Sequence, residues 1–327
     1  MPRELSLADI FQLGYYWETK ILLTAVKLDL FSVLGGKQLT VTEVAQRIGA
    51  DERALRLLMN ALAAMRVLTK EADRFGNTEV ARTHLAKTSP SYVGHLLLLH
   101  EAEWGNWGKL EGTIRTGHSP VTRHVFETDP ELGANVLSVL DRIGQQSGPA
   151  LATRLELGEA RTLLDLGGGV GTNAIAFCTV YSRLRATVFD LPQTLKTTER
   201  AIKEAGLDSR ITLLPGDFNA DPLGGPYDVV LMSDILHYQG PDANAALVRK
   251  TFAHLTAGGR LIIKDRFLDE SGTSPAWVAA FAVHILVNTA RGRCYTVADV
   301  TRWMTDAGFQ SVAELERTAV VQGTKKG

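Results

Sequence analysis

The stretch from Leu163 to Ala176, LLDLGGGVGTNAIA, constrains this chain more than any other. A short apolar run passes into four glycines and then into residues that favour a helix. Backbone N–H groups exposed by such a turn, together with the positive end of the following helix, make a seat for an anionic or nucleoside-bearing cofactor. Glycine lets the chain approach that ligand closely.

Downstream of the seat, strand and helix signals alternate. Strands are expected at Thr162–Leu166, Ala186–Phe189, Ile211–Leu214, Val229–Met232 and Arg260–Lys264. Helices are expected at Thr172–Val180, Leu195–Ala205 and Asp242–Leu255, with a glycine turn opening the fifth strand. This alternation predicts an α/β domain, a parallel sheet wrapped on both faces by helices. Val297–Ala307, Phe309–Leu315 and Ala319–Gln322 read as one more helix and a closing pair of strands.

Upstream, residues 5–34 carry apolar positions at helical spacing, read as two helices stopped by Gly35-Gly36. Thr40 and Glu43 form a capping-box pattern opening Val41–Ile48, and Asp51 caps Glu52–Met65. Val67–Thr69 and Arg74–Asn77 then look like two short strands. Helix, turn, helix and hairpin make a winged-helix pattern, which invites a nucleic-acid reading. Through residue 90, however, twelve Lys/Arg stand against ten Asp/Glu, far from a basic footprint. A dimerisation or lid role fits better.

At 327 residues the chain has room for two domains, and the boundary is expected near residue 110. That gives a winged-helix-like dimerisation domain over 1–110 and a catalytic domain over 111–327, entered by a long helix from Asp129 to Leu155. A net charge of −1 favours neither nucleic acid nor an anionic membrane. Cys178 and Cys294 lie far apart without metal-ligand spacing, so neither a disulfide framework nor a metal is expected. The N-terminus lacks the apolar core of a signal peptide, and no apolar run approaches the roughly 20 residues of a membrane span. A cytoplasmic protein is expected.

The glycine turn alone does not choose its cofactor. Gly169-Val-Gly171-Thr-Asn-Ala174, with Asp190 about twenty residues on, satisfies the dinucleotide fingerprint. Gly167-x-Gly169-x-Gly171 equally fits an S-adenosylmethionine turn. Further motifs follow the later strands. Asp190 and Leu191 lie in FDLP, where the carboxylate can take both hydroxyls of a ribose. Asp217 and Phe218 lie in GDF, where an acid can accept from an adenine amino group while the ring packs on the base. His237 follows the fourth strand, and the fifth ends in Asp265.

Together LDLGGGVG, FDLP, GDF-x-x-DPL, LH and GGRLIIKDR resemble the S-adenosylmethionine-dependent O-methyltransferases. That family includes plant caffeate and flavonoid enzymes, acetylserotonin methyltransferase and bacterial enzymes of antibiotic and pigment biosynthesis. The resemblance covers essentially the whole chain. It implies a Rossmann-like methyltransferase sheet behind an N-terminal, mainly helical winged-helix domain, and a homodimer. It also implies S-adenosyl-L-methionine as cofactor, released as S-adenosyl-L-homocysteine, with Gly167, Gly169, Gly171, Asp190, Leu191, Asp217, Phe218 and Ser233 around it. His237 falls at the family's base, and Asp265 is the candidate carboxylate to orient it.

Three departures stand out. Tyr238-Gln239 replaces the family's Asp-Trp, and Ser233 replaces a cofactor-touching Lys or Arg. Cys294 occupies the place of a second glutamate beside the histidine. The acceptor is expected to be a small, flat, hydroxylated aromatic held between the domains. Candidate lining residues are Trp104, Trp107, Phe126, Asn135, Trp277, Phe281, His284, Asn288 and Cys294. The other histidines, His84, His95, His100, His118, His124 and His254, read as surface or core. Transfer to carbon or nitrogen, a relative that uses the fold without methylating, a nicotinamide oxidoreductase and a winged-helix ligand sensor remain the alternatives.

Overall fold

The structure, a computed structural model, describes residues 4–123 and 125–327, with Glu127 represented by its backbone. His124 lies outside the described residues. The chain divides into two compact units, Met1–Trp104 and Gly105–Gly327.

In the first unit Ser6 and Asp9 exchange capping bonds and open α1 (Leu7–Gly14), which is followed by α2 (Trp17–Lys27) and α3 (Leu30–Leu34). Three helices form where two are expected. Tyr15 leaves helical geometry after α1, and Asp29 turns left-handed at φ 55° ahead of α3. After β1 (Leu39–Thr40), Thr40 and Glu43 close the expected capping box on α4 (Val41–Ile48). Asp51 accepts from the Ala54 N–H to start α5 (Glu52–Ala64). β2 (Leu68–Glu71) and β3 (Arg74–Asn77) pair as a hairpin, and β1 adds to it in the order β1-β3-β2. Leu30, Phe31, Met59, Leu62 and Phe75 fill the core beneath this helix–helix–wing arrangement. Each such side chain contributes about 1.5–3 kcal/mol by leaving water. α6 (Glu79–His84) and α7 (Gly94–Trp107) follow.

The second unit continues through α8 (Leu110–Thr116), α9 (Val125–Thr128) and the long α10 (Pro130–Arg154). Then strands and helices alternate as β4 (Thr162–Leu166), α11 (Thr172–Val180), β5 (Arg185–Asp190), α12 (Pro192–Glu204) and β6 (Ile211–Pro215). β7 (Tyr227–Ser233) runs into a 3-10 turn, Leu236–Tyr238, and α13 (Pro241–Ala253) leads to β8 (Leu255–Lys264). α14 (Ala276–Asn288), α15 (Val297–Asp306), β9 (Gln310–Glu316) and β10 (Val320–Thr324) complete the chain.

Among the described residues these strands form one sheet in the order β6-β5-β4-β7-β8-β10-β9, with β4 to β8 parallel and β10 antiparallel to both neighbours. Successive side chains point to opposite faces. Leu163, Leu231 and Ile262 therefore share one buried cluster, while Leu164, Val230 and Ile263 share the other. One expectation is corrected here. The Thr-Ala-Gly-Gly stretch is not a turn between helix and strand, because β8 already begins at Leu255, paired with Tyr227. A register irregularity between Tyr227 and Val229 absorbs the extra residues, with Gly258 at φ 77°. The chain builds outward from β4 in two directions. The switch point between β4 and β7, at their carboxyl ends, is the place where open α/β sheets bind ligands.

Candidate active site

Two loops meet that switch point, the glycine turn after β4 and the histidine turn after β7. Gly167 turns left-handed at φ 68°, and its N–H donates to the Phe189 carbonyl at 2.8 Å. A side chain at Gly167 would lie 2.8 Å from Ile235 Cγ2 and 3.5 Å from Phe218 Cε1, so only glycine leaves this wall clear. Gly171 begins α11 at φ 87° with no side-chain cap, leaving the helix's positive end facing the turn. Beneath it Asp165 is fully buried and accepts from the Ala174 N–H at 3.0 Å. Burial pushes its carboxyl up to about 7, the Ala174 bond opposing.

Asp190 ends β5 beside the turn. Its two oxygens accept from the N–H groups of Gly169 at 2.8 Å and Leu191 at 2.7 Å. Burial raises its pKa while these bonds work to lower it. Thr198 donates to the Gly169 carbonyl at 2.6 Å and steadies the same loop. After β6, Asp217 is exposed and Phe218 half-buried. The Asp221 carboxylate accepts from the Asp217 N–H at 2.8 Å, closing a tight local turn.

On the other side of the switch point His237 is 2% and Asp265 5% exposed, and His237 Nδ1 lies 2.7 Å from Asp265 Oδ1. Asp265 also accepts from the N–H groups of Leu236 at 3.0 Å and Arg266 at 2.7 Å. A carboxylate so placed accepts the Nδ1 proton and leaves Nε2 as the ring's free lone pair.

Charged side chains of the next strand end beside Ser233. Ser233 is paired in register with Lys264, whose Nζ lies 3.5 Å from the Ser233 hydroxyl and 2.5 Å from Asp234. Arg266 reaches the other Asp234 oxygen at 2.6 Å. Burial works to raise the Asp234 pKa, but Lys264 and Arg266 hold it below the usual carboxylate range. Arg266 also lies over the face of Phe281, 5.0 Å from the ring centre.

Of the expected lining residues, α14 brings Phe281 edge-on to His237, with centroids 5.4 Å apart, and stacks it on His284 at 5.7 Å. Trp277 stands 58% exposed one turn away. Trp107 approaches His284 at 6.1 Å. Asn288 is buried and accepts from Asn106 at 2.8 Å, so its amide is committed to holding α14. Trp104 belongs to the first unit, against Tyr16 and Lys20. Asn135 and Phe126 are half-buried. Cys294 is buried, and burial followed by the charge of Asp265 pushes its thiol up to about 12. It is a neutral group near neutral pH and takes over none of the acid–base capacity of a glutamate.

Sequence reasoning assigned no part to Asp234, Lys264, Arg266 or Asn244. Lys264 and Arg266 flank Asp265, so the alternation of a strand end was a usable signal for them. Asp234 and Asn244 carried none.

The match with known proteins follows the same geography. The O-methyltransferase domain model matches residues 116–310, and the O-methyltransferase dimerisation domain model matches residues 11–87. The tetracenomycin polyketide synthesis 8-O-methyl transferase TcmO of Streptomyces glaucescens is 34% identical, covering 96% of this chain and 94% of TcmO. The 3-hydroxy-5-methyl-1-naphthoate 3-O-methyltransferase of Streptomyces sahachiroi is 31% identical, over 90% of this chain and 87% of that enzyme. Human N-acetylserotonin methyltransferase, solved in complex with SAM, shares the fold at a TM-score of 0.83 and 21% identity, covering 100% of both chains. A seven-stranded sheet carrying this glycine turn and this histidine, preceded in sequence by a helical unit that matches the dimerisation model, is that of the O-methyltransferase family, to which the chain belongs.

Proposed function

We propose that this enzyme moves a methyl group from S-adenosylmethionine to a hydroxyl of a small aromatic acceptor, with His237 as general base. The observation that carries the reading is the buried contact of 2.7 Å between His237 Nδ1 and Asp265 Oδ1. It fixes the ring so that Nε2 can receive a proton. Phenols have pKa values near 10 and imidazole near 6.5, so a neutral histidine assists deprotonation as charge leaves the oxygen. Asp265 then stabilises the imidazolium.

The residues at the switch point fit the cofactor. Asp190, held at the end of β5 by the N–H groups of Gly169 and Leu191, presents a carboxylate that suits a ribose diol. Asp217 suits an adenine amino group, and Phe218 beside Gly167 suits its ring. The positive end of α11, where Gly171 supplies no side-chain cap, suits an anionic end group. When bound, S-adenosylmethionine supplies a methyl group on a sulfonium leaving group. The protein's share is then alignment and proton removal. Phe281 and Arg266 offer a flat surface beside His237 for the acceptor ring.

We also infer a homodimer through the first unit. Ile10, Phe11 and Leu13 on α1 are 56%, 56% and 76% exposed, a large apolar patch for a free surface.

Incubation with methyl-labelled S-adenosylmethionine and a panel of phenols, aromatic carboxylates and heteroaromatics tests the reading. Label on a phenol oxygen is the expected result, and label only on carbon or nitrogen would replace it with another transfer on the same fold. Failure to bind S-adenosylhomocysteine would remove it altogether.

A further inference from the structure

Helix α13 touches both halves of the site. Near its start Asn244, 0% exposed, donates from Nδ2 to the Leu236 carbonyl at 2.9 Å. Its Oδ1 accepts from Gln239 Nε2 at 3.2 Å. These two bonds grip the turn that carries His237 from either side. Six residues on, Lys250 extends its ammonium to the carbonyls of Phe218 at 2.9 Å and Asp221 at 2.5 Å. Those carbonyls belong to the loop whose side chains, Asp217 and Phe218, face the proposed adenine site. Six residues of helix span about 9 Å and bend little.

The Gly216 N–H ties the start of the loop to the Asp190 carbonyl, Phe218 packs against the core, and the N–H groups of Ala220 and Asp221 close the turn on the Asp217 carbonyl. Lys250 adds a hold on the loop's own backbone. A lysine has three donors and no acceptor, so two carbonyls from one loop are natural partners. Bonds from an ionised donor are roughly twice as strong as neutral ones. The amide of Asn244 suits the other end, where the histidine turn presents one acceptor and one donor.

We propose that α13 is the element that registers the cofactor loop with the histidine turn, and that Lys250 and Asn244 are positioning residues for two separable functions. Lys250 sets cofactor affinity without touching the acceptor. Asn244 sets the aim of His237 without touching the cofactor. The proposal rests on the methyl-transfer reading above.

The test measures S-adenosylhomocysteine binding by calorimetry, together with KM and kcat, for Lys250→Met, Lys250→Arg and Asn244→Ala. Lys250→Met is expected to weaken S-adenosylhomocysteine binding and raise KM for S-adenosylmethionine by about tenfold, with kcat within about twofold, since one charge-assisted hydrogen bond reaches that size. Lys250→Arg, which restores an ionised donor, is expected to recover most of the affinity. Asn244→Ala is expected to lower kcat at least tenfold and displace the acid limb of its pH profile while leaving S-adenosylhomocysteine binding unchanged. Wild-type affinity in folded Lys250→Met, or the same loss of affinity in both Lys250→Met and Asn244→Ala, overturns the proposal. Should Lys250→Met melt below the assay temperature, Lys250→Arg decides: near-wild-type binding supports the tether, and a tenfold loss overturns it. If the wild-type protein itself binds no S-adenosylhomocysteine, the methyl-transfer reading fails instead.

Discussion

His237 and Asp265 face each other at 2.7 Å with both side chains almost wholly removed from water, and the two remaining bonds of Asp265 come from backbone N–H groups on either loop. The carboxylate therefore serves the ring and the backbone at once. Asp265→Asn offers an amide in its place and weakens the support for an imidazolium. We expect kcat to fall by about a hundredfold, the lower end of what general-base catalysis supplies, with S-adenosylhomocysteine affinity unchanged. His237→Ala should lose at least as much. Steady-state kinetics on the identified acceptor check both, and wild-type turnover in His237→Ala would sink the base assignment.

Gly292 sits where the Arg291–Cys294 segment crosses the histidine turn. A Cβ there would collide with the His237 carbonyl oxygen and stand 2.6 Å from Thr289 Oγ1. Backbone cannot yield as a flexible side chain does. Gly292→Ala should push the histidine turn aside and lower kcat at least tenfold, while calorimetry shows the cofactor site intact. The overpacking should also cost about 1–3 kcal/mol of stability, read from the melting curve.

Gly167→Ala acts on the opposite loop. The new methyl would meet Ile235 at 2.8 Å, and φ of 68° penalises any side chain by about 1–2 kcal/mol. S-adenosylhomocysteine binding should weaken by at least tenfold. Unchanged binding would mean that the glycine turn is not the cofactor's seat.

Asp165 gives the fold a pH dependence. Its carboxyl has a pKa of about 7 in the folded state, against an ordinary value of 3.8, chiefly through burial. The folded state therefore holds a proton that the unfolded chain releases, and stability falls as pH rises from about 4 to about 7. At about 1.4 kcal/mol per unit the contribution amounts to about 4 kcal/mol at most. Asp165→Asn removes the titration, so its melting temperature should decline less than the wild type's across that window. Parallel decline of the two proteins would show that Asp165 ionises normally.

The apolar face of α1 bears on assembly. Phe11→Asp with Leu13→Asp should convert a dimer in light-scattering chromatography to a monomer without unfolding the second unit. A wild-type monomer at micromolar concentration would count against the dimer.

The sequence by itself determined the alternation of strands and helices and the glycine turn that follows β4. Glycines at 167, 169 and 171, capping pairs such as Thr40 with Glu43, and strand ends such as Asp190 act through local backbone geometry, which neighbouring residues alone dictate. Local reading failed where a long-range pairing outweighed propensity, as when Leu255 joined β8 by pairing with Tyr227 across the sheet. The supports of the site were decided only by tertiary structure. Asp265 was nominated as the partner of His237, but the bond depends on two parallel strands ending side by side, 28 residues apart in sequence. Lys264 reaching the Ser233 hydroxyl, Gly292 pressed against His237, and α13 gripping two loops at once are contacts across the sheet edge. No periodicity records them, because each depends on which elements the buried apolar faces bring together.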